Sequence, residues 1–183
     1  MTTSSKSPFV IGEIEGYSKD FSTLISMMNY TRRTTIQGVQ DLSVEALDFR
    51  INGTGNSIGM LLAHLVAVEK IYQYLTTEGK DLPDEEIERY ADTLQPALDL
   101  GEAATIISGN PAEFYLEDMA KTREKTLELF RQLPDSWLYE TTPWWEDELS
   151  NNYFKWFHVF EDELSHRGQI RIIKKHYELS KKQ

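Results

Sequence analysis

A chain of 183 residues with 40% hydrophobic content has enough apolar material for one substantial core. A formal net charge of −11 opposes contact with phosphate backbones, so no nucleic-acid partner is expected. The absence of cysteine removes disulfides, thiolate-ligated metal and thiol catalysis, leaving histidine, carboxylates, hydroxyls or a bound metal to carry any chemistry. With no 18-residue apolar run and no charged-then-apolar leader, a cytoplasmic protein without a membrane partner is expected.

Residues 1–16 mix Ser, Thr, Lys, Pro and Gly with little apolar rhythm and read as a mobile N-terminal arm; residues 17–183 read as a single domain. Phe21, Leu24, Ile25, Met28, Thr31 and Thr35 recur at intervals of three and four, which predicts a first long helix from Tyr17 to Gly38. Asp41 to Leu47 reads as a short helical turn capped by Ser43. A turn cluster, Gly53 to Ser57, precedes a second long helix to about Thr77, capped by Asn56 or Ser57. Ile58, Leu61, Leu62, Leu65, Val68, Tyr72 and Leu75 form its apolar stripe, and His64 lies on that surface beside Leu61, Val68 and Ile71. A histidine so placed is either a core residue donating to a carbonyl or carboxylate, or a ligand.

Between Gly79 and Asn110 the chain turns acidic and is broken by Gly79, Pro83, Pro96, Gly101 and Gly109. It reads as a long crossover with short helices at Asp84 to Tyr90 and Leu100 to Ile107, and with Glu85, Glu86 and Glu88 on a solvated face. Pro111 to Leu133 predicts the third long helix, burying Phe114, Leu116, Met119, Thr122, Thr126, Leu129 and Phe130, with Pro134 as its stop. Trp137 to Trp145 reads as an irregular aromatic connection over a corner of the core. The fourth helix begins at Asn151 or Asn152 and runs to about Leu179, with Phe154, Phe157, Val159, Phe160, Leu164, Ile170, Ile172 and Ile173 on more than one side. That excess predicts a central helix and a homodimer. Arg167 and Gln169 are expected in helix packing, Gly168 at a close backbone approach, and His176 in solvent. No segment alternates with period two, so the class is all-α without appreciable strand.

Within the fourth helix, His158, Asp162 and His166 are spaced four apart and share one stripe. On so apolar a helix, unpartnered polar groups cost about 1 to 3 kcal/mol each, so these three should be paired or liganded. A metal would need a donor from another helix, and His64 is the best placed. The alternative is a hydrogen-bonded His166–Asp162 pair that ties two helices together without an ion.

The run Asn56 to His64, followed about a hundred residues later by Glu163 to Ile170, resembles the DinB/YfiT-like family of bacterial four-helix proteins. The resemblance implies an antiparallel four-helix bundle with its crossover between the second and third long helices. It also implies a divalent metal held by one histidine of the second helix and an HxxxH pair of the fourth. His64 and His166 match those positions, whereas Asp162 stands where the family has its other histidine. The expected cofactor is therefore zinc, nickel, manganese or iron on His64, Asp162 and His166. His158 is the candidate catalytic base or alternative ligand, with Glu69 and Glu161 as weaker acid/base candidates. Because the family includes thiol-dependent transferases, the function expected is a metal-dependent enzyme, hydrolase or thiol-dependent transferase, acting on a small molecule. The competing expectation is a non-catalytic, stress-related helical dimer whose His/Asp cluster is a structural hydrogen-bond network.

Overall fold

The computed structural model describes residues 7–78, 84–144 and 148–182, and within them the chain is mostly helical. Residues 1–6 of the expected arm, Gly79 and Pro83 of the crossover, the side chains of Glu85 and Glu86, and Trp145 lie outside the described residues. Four helices are long: α1 (Lys19–Val39), α3 (Ile58–Gln73), α5 (Ala112–Gln132) and α7 (Asn152–Ser180). Between them come α2 (Val44–Asp48), α4 (Asp84–Asp99) and α6 (Asp135–Leu138). α1 packs on α7 and α5, and α3 packs on the same two helices from the other side.

The helix starts follow from local chemistry. The Ser43 hydroxyl accepts from the Ala46 N–H, Ser57 from Met60 at 3.2 Å, and Asn151 Oδ1 from Phe154 at 2.8 Å, each satisfying one backbone donor that the first turn leaves open. Ser57, not Asn56, caps α3; the Asn56 side chain instead accepts from the Gly101 N–H at 2.8 Å and holds the chain just beyond α4. Gly59 is required where α3 meets α5, because a Cβ there would lie 2.6 Å from the Tyr115 hydroxyl.

Several expectations are corrected. The crossover contains one helix, α4, that runs through Pro96 and ends where Leu100 and Gly101 turn left-handed (φ 58° and 57°), so the break lies one turn later than the proline. The expected helix Leu100 to Ile107 reduces to a 3₁₀ turn, Ala103–Ile106. α3 passes into a wider π turn at Tyr74–Glu78, which rotates the stripe so that Tyr74 and Thr76 face inward and Leu75 outward. Phe114 is exposed and Tyr115 takes the buried place. The Trp137 to Trp145 connection is more regular than expected: after α6 come two short antiparallel strands, β1 (Thr141–Pro143) and β2 (Leu149–Asn151), pairing Thr142 with Ser150. Gly168 meets nothing within 4 Å of its would-be Cβ, so no close approach occurs within the chain. Residues 7–16 run beside α1, with the Ile14 N–H donating to Ser22 Oγ at 3.0 Å and Ile14 partly buried on the core.

The core falls into two apolar clusters. One gathers Phe21, Met28, Tyr72, Phe130, Trp156 and Phe160; the other gathers Val39, Leu61, Leu65, Tyr115, Met119 and Ile170. Between them lies a layer of four buried charged residues, Arg32 from α1, Glu69 from α3, Arg123 from α5 and Glu163 from α7. Glu69, fully buried, accepts from Arg123 Nε (2.7 Å), Arg123 Nη2 (3.1 Å), Arg32 Nη2 (2.9 Å) and the Thr126 hydroxyl (2.7 Å). Arg32 Nε donates to both Glu163 oxygens at 3.1 Å, and its Nη1 donates to the Met119 carbonyl at 3.0 Å. Glu69 is thus saturated by donors from two other helices, which removes it as an acid/base candidate.

Burial by itself raises the Glu69 pKa, but the Arg123 and Arg32 guanidiniums and the hydrogen bonds hold it at about 2 against an ordinary 4.5. The folded value lies below the unfolded one, so the stabilisation is complete above about pH 4.5 and is lost as pH falls from there toward 2. Glu69→Ala should cost about 3–5 kcal/mol in urea unfolding at pH 7, since it leaves the buried Arg123 guanidinium without its carboxylate and removes one of the two that Arg32 holds, and should flatten the acid limb of the stability curve. A loss under 1 kcal/mol, or an unchanged acid limb, would show that the layer contributes little.

Candidate metal centre

His64 projects from the middle of α3, while Asp162 and His166 lie one turn apart on α7, the helix packed against it. Tertiary packing brings the three together: one ligand-capable atom from each falls within 4.8 Å of the other two. His166 Nε2 lies 3.3 Å from Asp162 Oδ1, and His64 Nε2 lies 3.5 Å from Asp162 Oδ2. The two imidazoles meet edge to face, with ring centroids 4.7 Å apart. The side chains of all three are largely buried, 12 to 19% exposed.

The orientation of His64 comes from the second half of α4, beyond the Asp84 to Tyr90 helix expected from the sequence. Its Nδ1 lies 2.9 Å from the Ala97 carbonyl, in the last turn of α4. That carbonyl is one of the four that a helix end leaves without an intrahelical partner, and a carbonyl can only accept, so Nδ1 carries a proton. Nε2 is then left with a lone pair turned toward Asp162 Oδ2, which has no hydrogen-bond partner among the described residues. Two acceptors facing each other at 3.5 Å call for a positive charge, supplied either by a second proton on His64 or by a cation. The donor set fits a divalent ion of borderline hardness, and a backbone carbonyl behind a ligating imidazole is the support such a ligand requires.

Electrostatics agree with the geometry. Burial pushes the Asp162 carboxyl up, but the neighbouring His166 and His64 imidazoles outweigh it and hold the group well below the usual carboxylate range. Burial likewise pulls His166 down, while Asp162 brings it above its ordinary 6.5. Tyr72, two turns after His64, is mostly buried, and burial followed by the Asp162 charge raises its hydroxyl. It was read from the sequence only as part of an apolar stripe.

His158 is not brought into the three-residue group. Its Nδ1 lies 3.1 Å from Glu161 Oε2, its ring sits 5.9 Å from the Tyr72 ring, and its side chain is 43% exposed. Glu161 is occupied by this pairing and is similarly exposed. Arg167 reaches across to the Thr34 hydroxyl on α1, and His176 is in solvent. Gln169, one turn after His166, lines a hollow of about 450 Å³ with Ile51, Asn52, Asn56 and Ile173. Trp144 packs on Tyr72 at 5.6 Å between ring centroids, so the aromatic connection closes the other end of this face.

A family model described as mycothiol-S-transferase matches residues 23–178, a span that contains the whole cluster, the buried ionic layer and nearly all of the four long helices. No curated protein matches the chain.

Calorimetry with zinc and nickel should show one divalent ion per chain for the wild type and none for His64→Ala, because α7 alone offers only one side of the ion. Asp162→His, which replaces a hard oxygen donor by nitrogen, should raise affinity for both ions by about 10-fold or more. If the wild type binds no divalent ion and His64→Ala changes only the melting temperature, the cluster is a hydrogen-bond network.

Proposed function

Because the chain belongs to the mycothiol-S-transferase family, one of the DinB/YfiT-like families, we propose that it is a divalent-metal-dependent transferase joining a low-molecular-weight thiol to an electrophilic small molecule. Mycothiol is the first thiol to test. On this reading the four long helices form one antiparallel four-helix bundle domain, with α4 lying in the crossover between the second and third of them. The observation that carries the proposal is the convergence of His64, Asp162 and His166 within 4.8 Å, with the His64 proton pinned away from the site by Ala97. Three protein donors leave coordination positions open, which a purely structural ion does not need.

A divalent ion held there would supply Lewis acidity, lowering the pKa of a thiol brought to it. The protein's own groups do the rest. Ala97 fixes His64, and Asp162 contributes the negative charge that offsets the ion. The partly apolar hollow beside Gln169 is the place proposed for the electrophile. As the thiol sulfur forms its bond to the electrophilic carbon, that carbon's bond to its leaving group breaks and the group departs to solvent as an anion, while the thiol proton is taken up by His158, whose other ring nitrogen is held by Glu161. His158 suits that role because it is one turn from Asp162 and half exposed, so the proton can pass on to solvent.

Zinc-loaded protein incubated with mycothiol and an electrophilic aryl halide should give the thioether conjugate, and chelation should abolish the reaction reversibly. His158→Gln should lower kcat by about 10²-fold or more while leaving metal affinity unchanged, which separates a base from a ligand. Metal-dependent cleavage of an ester without any thiol, together with no conjugate, would replace this reading by a hydrolase.

A further inference from the structure

Between α3, α4 and α5 the helices leave a hollow of about 300 Å³, at the small end of the range that ligand pockets span. Its floor is one face of α3, where Ala63, Val66, Ala67 and Lys70 follow at the three- and four-residue spacings of a helical stripe, and the two alanines keep that floor low. α4 supplies Leu94 and Ala97 as one wall, and α5 supplies Phe114, Tyr115 and Asp118 as the other. None of these residues lines the hollow beside Gln169, and the inference does not rest on the transferase reading.

We propose that this hollow binds a neutral, single-ring aromatic compound bearing a carbonyl oxygen, and that its occupant braces the turn of α4 that orients His64. Three observations select that ligand. Phe114 and Ile106, 54% and 75% exposed, border a concave site instead of standing on open surface, so an apolar occupant covers surface that the chain itself leaves wet. The charged side chains of the lining, Lys70 and Asp118, are paired with each other at 2.9 and 3.2 Å, so a charged ligand would lose hydration and meet no net charge in return. The hydroxyl of Tyr115, a residue 2% exposed, accepts from Asn110 Nδ2 at 3.5 Å and donates to no described residue; its proton calls for an acceptor, which a carbonyl oxygen supplies. The bracing follows from Ala97, whose carbonyl lies 2.9 Å from His64 Nδ1 while the same residue lines the hollow. A ligand that binds only while α4 is packed on α3 favours the packed state, and with it that hydrogen bond.

Acetophenone, ethylbenzene and benzoate are probes of similar size that offer a ring with a carbonyl, a ring alone and a ring with a charge. In calorimetry with the full chain and no added metal, acetophenone should bind at one per chain with a Kd below about 1 mM. Ethylbenzene should bind about 5-fold more weakly, for want of the hydrogen bond, and benzoate more weakly than either. Tyr115→Phe should remove the advantage of acetophenone and leave ethylbenzene unchanged. Leu94→Trp, in the partly buried wall, and Ala67→Leu, in the floor, should each fill the hollow and abolish acetophenone binding with helical circular dichroism retained. At saturation acetophenone should slow amide exchange at residues 94–99 by about 5-fold or more. Equal affinity for the three probes, acetophenone binding untouched in both filled variants, or unchanged exchange in α4 at saturation would overturn the proposal.

Discussion

A carboxylate with no exposure to water, Glu69, lies in the last third of α3 and is satisfied only by groups from other helices. A buried ion pair contributes little net stability compared with well-packed apolar side chains, but leaving one member unpaired is severe. Arg32, Glu69, Arg123 and Glu163 are paired with one another in this relative placement of α1, α3, α5 and α7, and a shift of one helix by a turn would break bidentate bonds to buried carboxylates. The apolar clusters on either side are more forgiving, since aliphatic and aromatic side chains can repack across a slip. The layer therefore sets the register of the four long helices, and packing on either side supplies the bulk of the stabilisation.

The candidate metal centre inherits that register. Asp162 precedes Glu163 in sequence and His64 lies five residues before Glu69, so the contacts that lock Glu163 and Glu69 also fix how α7 lies against α3. Without that lock, a ligand pair on α7 and a single histidine on α3 would not meet within a few ångströms. The division of labour is clear in the protonation states. Glu69 is a carboxylate whose four donors leave it nothing to offer a ligand, whereas Asp162 keeps one oxygen without a hydrogen-bond partner in a buried setting. The first is structural; the second remains able to bind.

α4 has a particular place in this scheme. A helix in a long connection looks like filler, yet its last turn supplies the carbonyl that selects the His64 tautomer and aims the other nitrogen at Asp162. Its end is fixed in turn by the left-handed residues Leu100 and Gly101 and by Asn56, which sits just before α3. The connection is thus tied to the start of α3 through Asn56 and to its middle through His64. The β1–β2 ribbon and Trp144 act similarly at the opposite end, where Trp144 lies against Tyr72 and under the Lys155 ammonium.

Periodicity and capping chemistry were enough to locate the four long helices within a few residues, because a buried helical face needs an apolar residue every third or fourth position and a helix start needs a side-chain acceptor. Spacing alone also placed Asp162 and His166 on one face, a property of the α-helix that needs no tertiary information. The same spacing put His158 on that stripe, and there it was insufficient: tertiary packing turned its ring to Glu161 and Tyr72 instead. Arg32 and Arg123 occupy core positions in their helices, each four residues after a buried methionine, Met28 and Met119, and that was the available signal for them. Periodicity identifies which face is buried but says nothing of which charge on another helix will meet it. The pairing of Arg32 with Glu163 spans 131 residues, and that of His64 with Asp162 nearly a hundred. Such partners are chosen by how helices pack in three dimensions, and so only the tertiary structure decided them.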